Sequence, residues 1–389
     1  MNPRIHLDYA SAAPLLLEAR QAIAEVSQEC GNPSSVHAEG RRAQQRLAQA
    51  RASVAALINA HPEEIFFTSC GTESNNWALR GLLAANQRKG QCLIISAIEH
   101  PSISLMARRL EMDRRATMTI LPVDSEGLVA PSTLKALMTP ETVLVSIMLA
   151  NGEVGTIQSI KELAAIAHEH GAIFHTDAVA AAGHIPIDVN ELGVDALSLA
   201  ANQFGGPAGA AALFVREGVR ILPLLEGGGQ ETGGRSGTEA LPAIIGMAAA
   251  AKKCQTLFDQ KVSDTFSQLR DRLRDGLKER IEHTRFNGSW TSRLPHNLHV
   301  CIDGVSSESL VLGLDQAGIA AGLGSACNSK AMRPSHVLKA MGLSDEESQG
   351  ALVLTVGEQT TEQEIDRALE IIPTVVQRLR NVTALTARS

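Results

Sequence analysis

The 389-residue sequence has no run of lysines or arginines and no basic patch interleaved with aromatics. Nucleic-acid backbones are bound by clustered positive charge, so that class of partner is excluded. The net charge of −7, from 42 acidic against 35 basic residues, is dispersed rather than blocked. No apolar core follows Met1 toward a cleavage site, so no signal peptide is expected. The least polar long stretch, 196–215, carries Asn202, Gln203 and several glycines and reads as strand, loop and strand, not as a membrane span. The six cysteines (Cys30, Cys70, Cys92, Cys254, Cys301 and Cys327) form no CxxC pair and no zinc-like His/Cys spacing, and no metal site is expected. All but Cys327 read as inert, mostly buried thiols of a reduced, cytoplasmic protein. Internal repeats and low-complexity linkers are also missing.

What is present is the composition of an ordered globular chain, 44% hydrophobic and 20% charged. Its length suits two domains better than one core. Short apolar runs at 92–96, 117–121, 143–148, 172–175, 196–199 and 211–215 read as strands. Helix-period segments at 101–113, 132–138 and 160–170 lie between them. This alternation predicts an α/β domain with a mostly parallel mixed sheet covered by helices. Ligands of such sheets sit beyond the carboxyl ends of the strands. After residue 240 the pattern changes to one long helical connector, 242–278, then a strand at 297–302 and a helix at 307–316. A Gly-rich loop at 319–326, a strand at 351–356 and a terminal helix at 362–378 complete a smaller α+β domain. The expected division is 13–255 for the large domain and 1–12 with 256–389 for the small one.

Four segments carry chemistry. Thr68-Ser69-Cys70-Gly71-Thr72-Glu73-Ser74-Asn75 opens a helix with small residues, which leaves backbone N–H groups free to meet an anion; a plain helix cap is the other reading. Asp177, in Phe174-His175-Thr176-Asp177-Ala178, ends a core strand where a carboxylate can pair with a protonated ring nitrogen or simply cap a helix. His100 follows a strand, either as a surface histidine or stacked on a planar cofactor. Cys327, in Gly324-Ser325-Ala326-Cys327-Asn328-Ser329, has the small neighbours of a thiol that must move.

Together with Gly31-Asn32-Pro33-Ser34-Ser35-Val36-His37, Arg235-Ser236-Gly237-Thr238-Glu239 and Pro334-Ser335-His336-Val337, these segments make the chain resemble NifS-type cysteine desulfurases nearly end to end. That group belongs to the class V aminotransferases of fold-type I, which use pyridoxal phosphate. The resemblance implies that Thr72 holds the cofactor phosphate, His100 stacks on the ring and Asp177 pairs with its nitrogen. It also implies that Thr238 reaches the neighbouring subunit's phosphate and that Cys327 carries the persulfide. The family motif whose lysine forms the Schiff base falls on Ala200-Ala201-Asn202-Gln203, and the amide of Gln203 cannot form an imine. Ala200 and Asn202 alter phosphate partners, and Ala180 and Gly152 replace a Gln and an Asn near the ring. Val353 stands at the Arg that clamps the substrate carboxylate, and Glu358 replaces a second Arg.

These departures set the expectation of a pseudoenzyme with no pyridoxal phosphate, or only weakly bound and never covalent cofactor. Such a protein keeps a scaffold or sulfur-relay role through Cys327. The alternative is an active desulfurase that binds the cofactor without a covalent link, or a degenerate subunit paired with an active paralogue. Expected partners are a second copy of the chain, an active desulfurase, or a sulfur or iron–sulfur acceptor protein.

Overall fold

A computed structural model of the chain describes residues 4–323 and 334–386, with side chains to residue 382. The chain opens with β1 (Ile5–Leu7), α1 (Leu17–Val26) and α2 (Ala38–Leu57). Then come β2 (Ile65–Thr68), α3 (Gly71–Asn86), β3 (Cys92–Ser96), α4 (Pro101–Met112), β4 (Thr117–Leu121) and α5 (Pro131–Leu137). β5 (Thr142–Ser146), α6 (Ile160–Glu169), β6 (Ile173–Asp177), α7 (Val189–Leu192), β7 (Ala196–Ala200) and β8 (Ala211–Val215) follow. The remaining elements are α8 (Leu241–Asp259), α9 (Val262–Arg280), β9 (Thr284–Asn287), β10 (Asn297–Ile302), α10 (Ser307–Gln316) and β11 (Ile319–Ala321). α11 (His336–Ala340), β12 (Ala351–Thr355) and α12 (Glu362–Thr386) end the described chain.

Seven strands form one sheet in the order β2-β8-β7-β6-β5-β3-β4. All its pairings are parallel except those of β8, which runs antiparallel to β7 and β2. This is the α/β fold with a mostly parallel mixed sheet that the sequence predicts. The central strands β3, β5, β7 and β8 are buried at every residue, as continuous apolar runs must be when helices cover both faces. One face packs Val54, Phe174, Leu197 and Phe214 against α2, α6 and α8. On the other, Trp77 of α3 is wholly buried among Leu82, Ile95 and Leu213, and its indole N–H donates to the Leu222 carbonyl at 2.8 Å. Burying that ring stabilises the layer by roughly 3 kcal/mol. A separate apolar cluster joins Leu273, Val300, Leu314, Leu354 and Ile372. It lies over the three-stranded antiparallel sheet β12-β10-β9. The short β1 pairs in parallel with β11, Ile5 facing Ile319.

The structure corrects four sequence expectations. The single connector over 242–278 is two helices, broken where Lys261 takes a left-handed backbone with φ of 54°. The start of the expected Gly-rich loop is β11, because the backbone of 319–321 finds a ladder partner 314 residues away in sequence. β2, within a stretch whose helix start alone had been singled out, pairs with the antiparallel β8. Of the five thiols expected to be inert and mostly buried, Cys92, Cys254 and Cys301 are buried while Cys30 and Cys70 are exposed.

Candidate functional site

The carboxyl ends of β6 and β7, the starts of α3 and α4, the turn 151–155 and the wall of β12 enclose a cavity of about 430 Å³. The start of α3 forms one corner of it. Cys70 sits at the N-cap without a side-chain cap, so the first-turn N–H groups of a 16-residue helix point outward with the positive end of the dipole. Glu73 does not cap them. Its carboxylate accepts from the Ser69 N–H at 2.8 Å and forms a two-pronged ion pair with Arg235 at 2.8 and 3.2 Å. Burial works to raise its pKa, and those contacts overcome it and hold the pKa below the usual carboxylate range.

Asp177 lies at the cavity floor, buried at the end of β6. Its carboxylate accepts from Asn75 Nδ2 at 2.7 Å and from the Val179 N–H at 2.9 Å. Burial pushes its pKa up, and the two donors and His100 work against that. A cation brought against Asp177 would recover the cost of desolvating its charge, which is what a protonated ring nitrogen does. His100 caps α4 with its ring at the cavity edge: Nδ1 accepts from the Ser102 N–H at 3.1 Å and lies 2.7 Å from Ser102 Oγ. Asp8, Glu99 and Glu153 also line the cavity, Glu99 buried and the Glu153 side chain 8% exposed. Glu99 accepts from Ser96 Oγ at 2.5 Å and from the Met148 N–H at 2.9 Å, and burial drives it up to about 8. Glu153 is driven to about 8 by the same cause. Neither was singled out from sequence, because an isolated Glu shows nothing of its burial until the chain is folded.

Thr72, His100, Asp177 and Gln203 therefore meet in one cavity, as do Ala200, Asn202, Ala180, Gly152 and Val353. Gln203 is fixed through its backbone, whose carbonyl accepts from His184 Nε2 at 3.0 Å. The His184 ring is stacked on His296 at 3.7 Å. Thr238 is not among the lining residues; it lies exposed on the loop before α8. Glu358 is also not among them, and it pairs with Lys253 at 3.2 Å. Cys327 falls outside the described residues. Cys70, read as inert from sequence, lines the cavity beside Gly71. No lysine is among the described lining residues.

The family comparison decides what this site belongs to. The aminotransferase class-V model matches residues 5–367. The chain is a NifS-type cysteine desulfurase family member of the class V aminotransferases. It is 42% identical to the cysteine desulfurase IscS of Methanosarcina thermophila over 388 residues, which is 100% of this chain and 95% of that one. Among solved structures, a NifS-like protein superposes with a TM-score of 0.90 at 32% identity, covering 96% of this chain and 99% of the other. SspA in complex with cysteine superposes at 0.78 with 30% identity, over 90% and 98% of the two chains.

This membership overturns the expectation of an absent or weakly held cofactor. The relatives are cysteine desulfurases, a pyridoxal-phosphate family. The departures fall at single positions, and the folded cavity still brings together the uncapped start of α3, the buried Asp177 and the His100 ring. These groups fit pyridoxal phosphate: an uncapped helix start for the phosphate, a buried acceptor for the ring nitrogen and an imidazole at the cavity edge for the ring face.

Proposed function

We propose that the chain is an active, pyridoxal-phosphate-dependent enzyme that takes sulfur from cysteine or a close derivative and passes it on through Cys327. The observation that carries this reading is the buried Asp177, held by Asn75 and the Val179 N–H at the floor of a cavity walled by the α3 start. Burying a carboxylate costs several kcal/mol, which a cationic ring opposite it offsets.

The cofactor, when bound, supplies an electron sink for the substrate carbon. The chain's own residues do the rest. The first-turn N–H groups at Gly71, Thr72 and Glu73 hold the phosphate, and His100 flanks the ring. Asn75 orients Asp177, and Val179 fixes its second oxygen. Gln203, whose backbone His184 holds, offers its amide to the bound molecules as donor and acceptor at the place of the family lysine. Retention of the cofactor then rests on Asp177, His100 and the α3 start. Thr238, exposed on its loop, serves the site of a second copy. In this reading Cys327 takes the sulfur as a persulfide.

The full-length protein is to be loaded with pyridoxal phosphate, freed of excess and given L-cysteine with a reductant. A stoichiometric visible absorption band and sulfide release are expected. Mass spectrometry should show one added sulfur on Cys327 that the Cys327→Ser variant lacks. Loaded protein that releases no sulfide and gains no sulfur sinks the proposal.

A further inference from the structure

Moving sulfur off cysteine requires protons to move at the substrate carbons, and the Gln203 amide cannot carry them. Glu153 can. It sits in the tight turn 151–155, where Asn151 Oδ1 accepts from the Glu153 and Val154 N–H groups, each at 3.0 Å. Gly155 closes that turn with a φ of +81°, and a Cβ there would lie 2.5 Å from Asn297 Oδ1, so the turn is fixed against the β10 side. The Glu153 side chain is 8% exposed and lines the cavity. Glu99, the other high-pKa carboxyl, has no exposed surface and already has one oxygen engaged twice.

Two residues frame the Glu153 carboxyl. Ser335 Oγ accepts from the Val337 and Leu338 N–H groups at 3.1 and 3.3 Å, which leaves its O–H to donate to Glu153. His299 Nδ1 faces Asn287 Nδ2 at 3.0 Å. That nitrogen accepts from the amide, so the proton of the neutral ring sits on Nε2. Nε2 lies 3.7 Å from Glu153 Oε1, and neither atom has a hydrogen-bond partner among the described residues. The carboxyl thus keeps one unpartnered oxygen, Oε1, buried against His299, with one donor in place and a second within a small displacement, while the side chain as a whole reaches the cavity.

Resting on the desulfurase reading, we propose that Glu153 is the group that moves protons at the substrate in this cavity, giving one to the carbon and taking one from the thiol, with His299 and Ser335 as its positioning residues. The balance is closed. The carbon–sulfur bond of cysteine breaks and its sulfur joins an enzyme thiolate. The carbon left behind keeps the bonding pair and gains one proton, while the substrate thiol loses one. Glu153 delivers the first and recovers the second, and no oxidant or reductant enters. Burial keeps Glu153 protonated up to about pH 8, so it begins the cycle as the acid. The titratable groups around it are His299 and Cys301 on β10, then Asp8, Glu99, His100, Asp177 and His336 at the cavity. Burial, and to a smaller extent the charge of Arg293, keeps the His299 ring neutral.

The test compares wild-type, Glu153→Gln, Glu153→Asp and His299→Leu proteins, all full-length and cofactor-loaded. Alanine formation from L-cysteine is followed from pH 6 to 9 in D₂O, with deuterium incorporation read by NMR. Glu153→Gln is expected to lose on the order of 100-fold in kcat with KM and the cofactor spectrum retained, and to lose the alkaline limb of the wild-type profile. Glu153→Asp keeps that limb at lower kcat. His299→Leu moves it to higher pH, because a donor to the ionised form is gone. Without cofactor, the infrared band of buried protonated carboxyl groups is expected to fall as pH rises through about 8, with one component missing in Glu153→Gln. Wild-type kcat and pH profile in Glu153→Gln overturn this inference and leave the desulfurase reading intact. A loaded wild-type protein that neither exchanges deuterium nor makes alanine overturns both.

Discussion

Replacing Glu99 with glutamine should change how the stability of the unloaded protein depends on pH between about 4.5 and about 8. Burial raises Glu99 and Glu153 from an ordinary value of 4.5 to about 8. Between those limits the native protein holds protons that the unfolded chain has lost, so stability falls as pH rises. Buried histidines act with the opposite sign. His175 and His299 are lowered from 6.5 to about 3, His184 to about 4, and His296 well below its ordinary value. Below pH 6.5 the unfolded chain takes up protons that these native rings refuse, so stability falls on acidification. Four histidines outweigh two carboxyls there, which places the maximum near pH 6.5. From pH 6.5 to 8 the unfolded histidines shed the rest of their protons, which offsets part of the loss due to the buried carboxyls. Each carboxyl removes about 1.4 kcal/mol per pH unit, or about 2 kcal/mol over the window. The thiols of Cys254 and Cys301, raised to about 12 and about 11, contribute only above their ordinary 9.0. Urea unfolding at pH 6.5, 7.2 and 8 should therefore show the wild type losing about 1.5–2 kcal/mol more than Glu99→Gln over that window. The amide keeps an acceptor for Ser96 and Met148 but cannot ionise. Equal pH slopes for the two proteins would refute the argument.

Two further outcomes follow from other contacts. Asp177→Asn removes a charge-assisted bond worth about 1.5–3 kcal/mol, so pyridoxal phosphate should bind roughly 10- to 150-fold more weakly in a fluorescence titration; unchanged affinity removes Asp177 from the ring-nitrogen role. Arg51→Met strips the partner from the Glu231 carboxylate, which is 1% exposed, paired at 2.7 and 2.8 Å and also bound by the Phe67 N–H. It should cost about 3–5 kcal/mol in chemical denaturation, and a loss below 1 kcal/mol would show that the charge is solvated.

Local pattern alone located most of the sheet and its site. Residues 92–96 and 211–215 are strands because strands covered on both faces read as short, almost wholly apolar runs, while 117–121, at the sheet edge, keeps two unburied threonines among its apolar residues. Placing Asp177, His100 and Thr72 at strand ends and helix starts put them on one side of the sheet, where they do meet. The helix break at Lys261 left no glycine or proline to read, so the periodicity ran through it. β11 escaped because its partner β1 lies at the other end of the chain.

Residue types, their order and the family resemblance were decided by the sequence, since covalent order and side-chain chemistry need no folding. The protonation of Glu99 and Glu153, the opposed nitrogen and oxygen of His299 and Glu153, and the pairing of Arg51 with Glu231 were decided only by the tertiary structure. Burial and distance between groups remote along the chain exist only once it is folded, and those two quantities set where a proton resides.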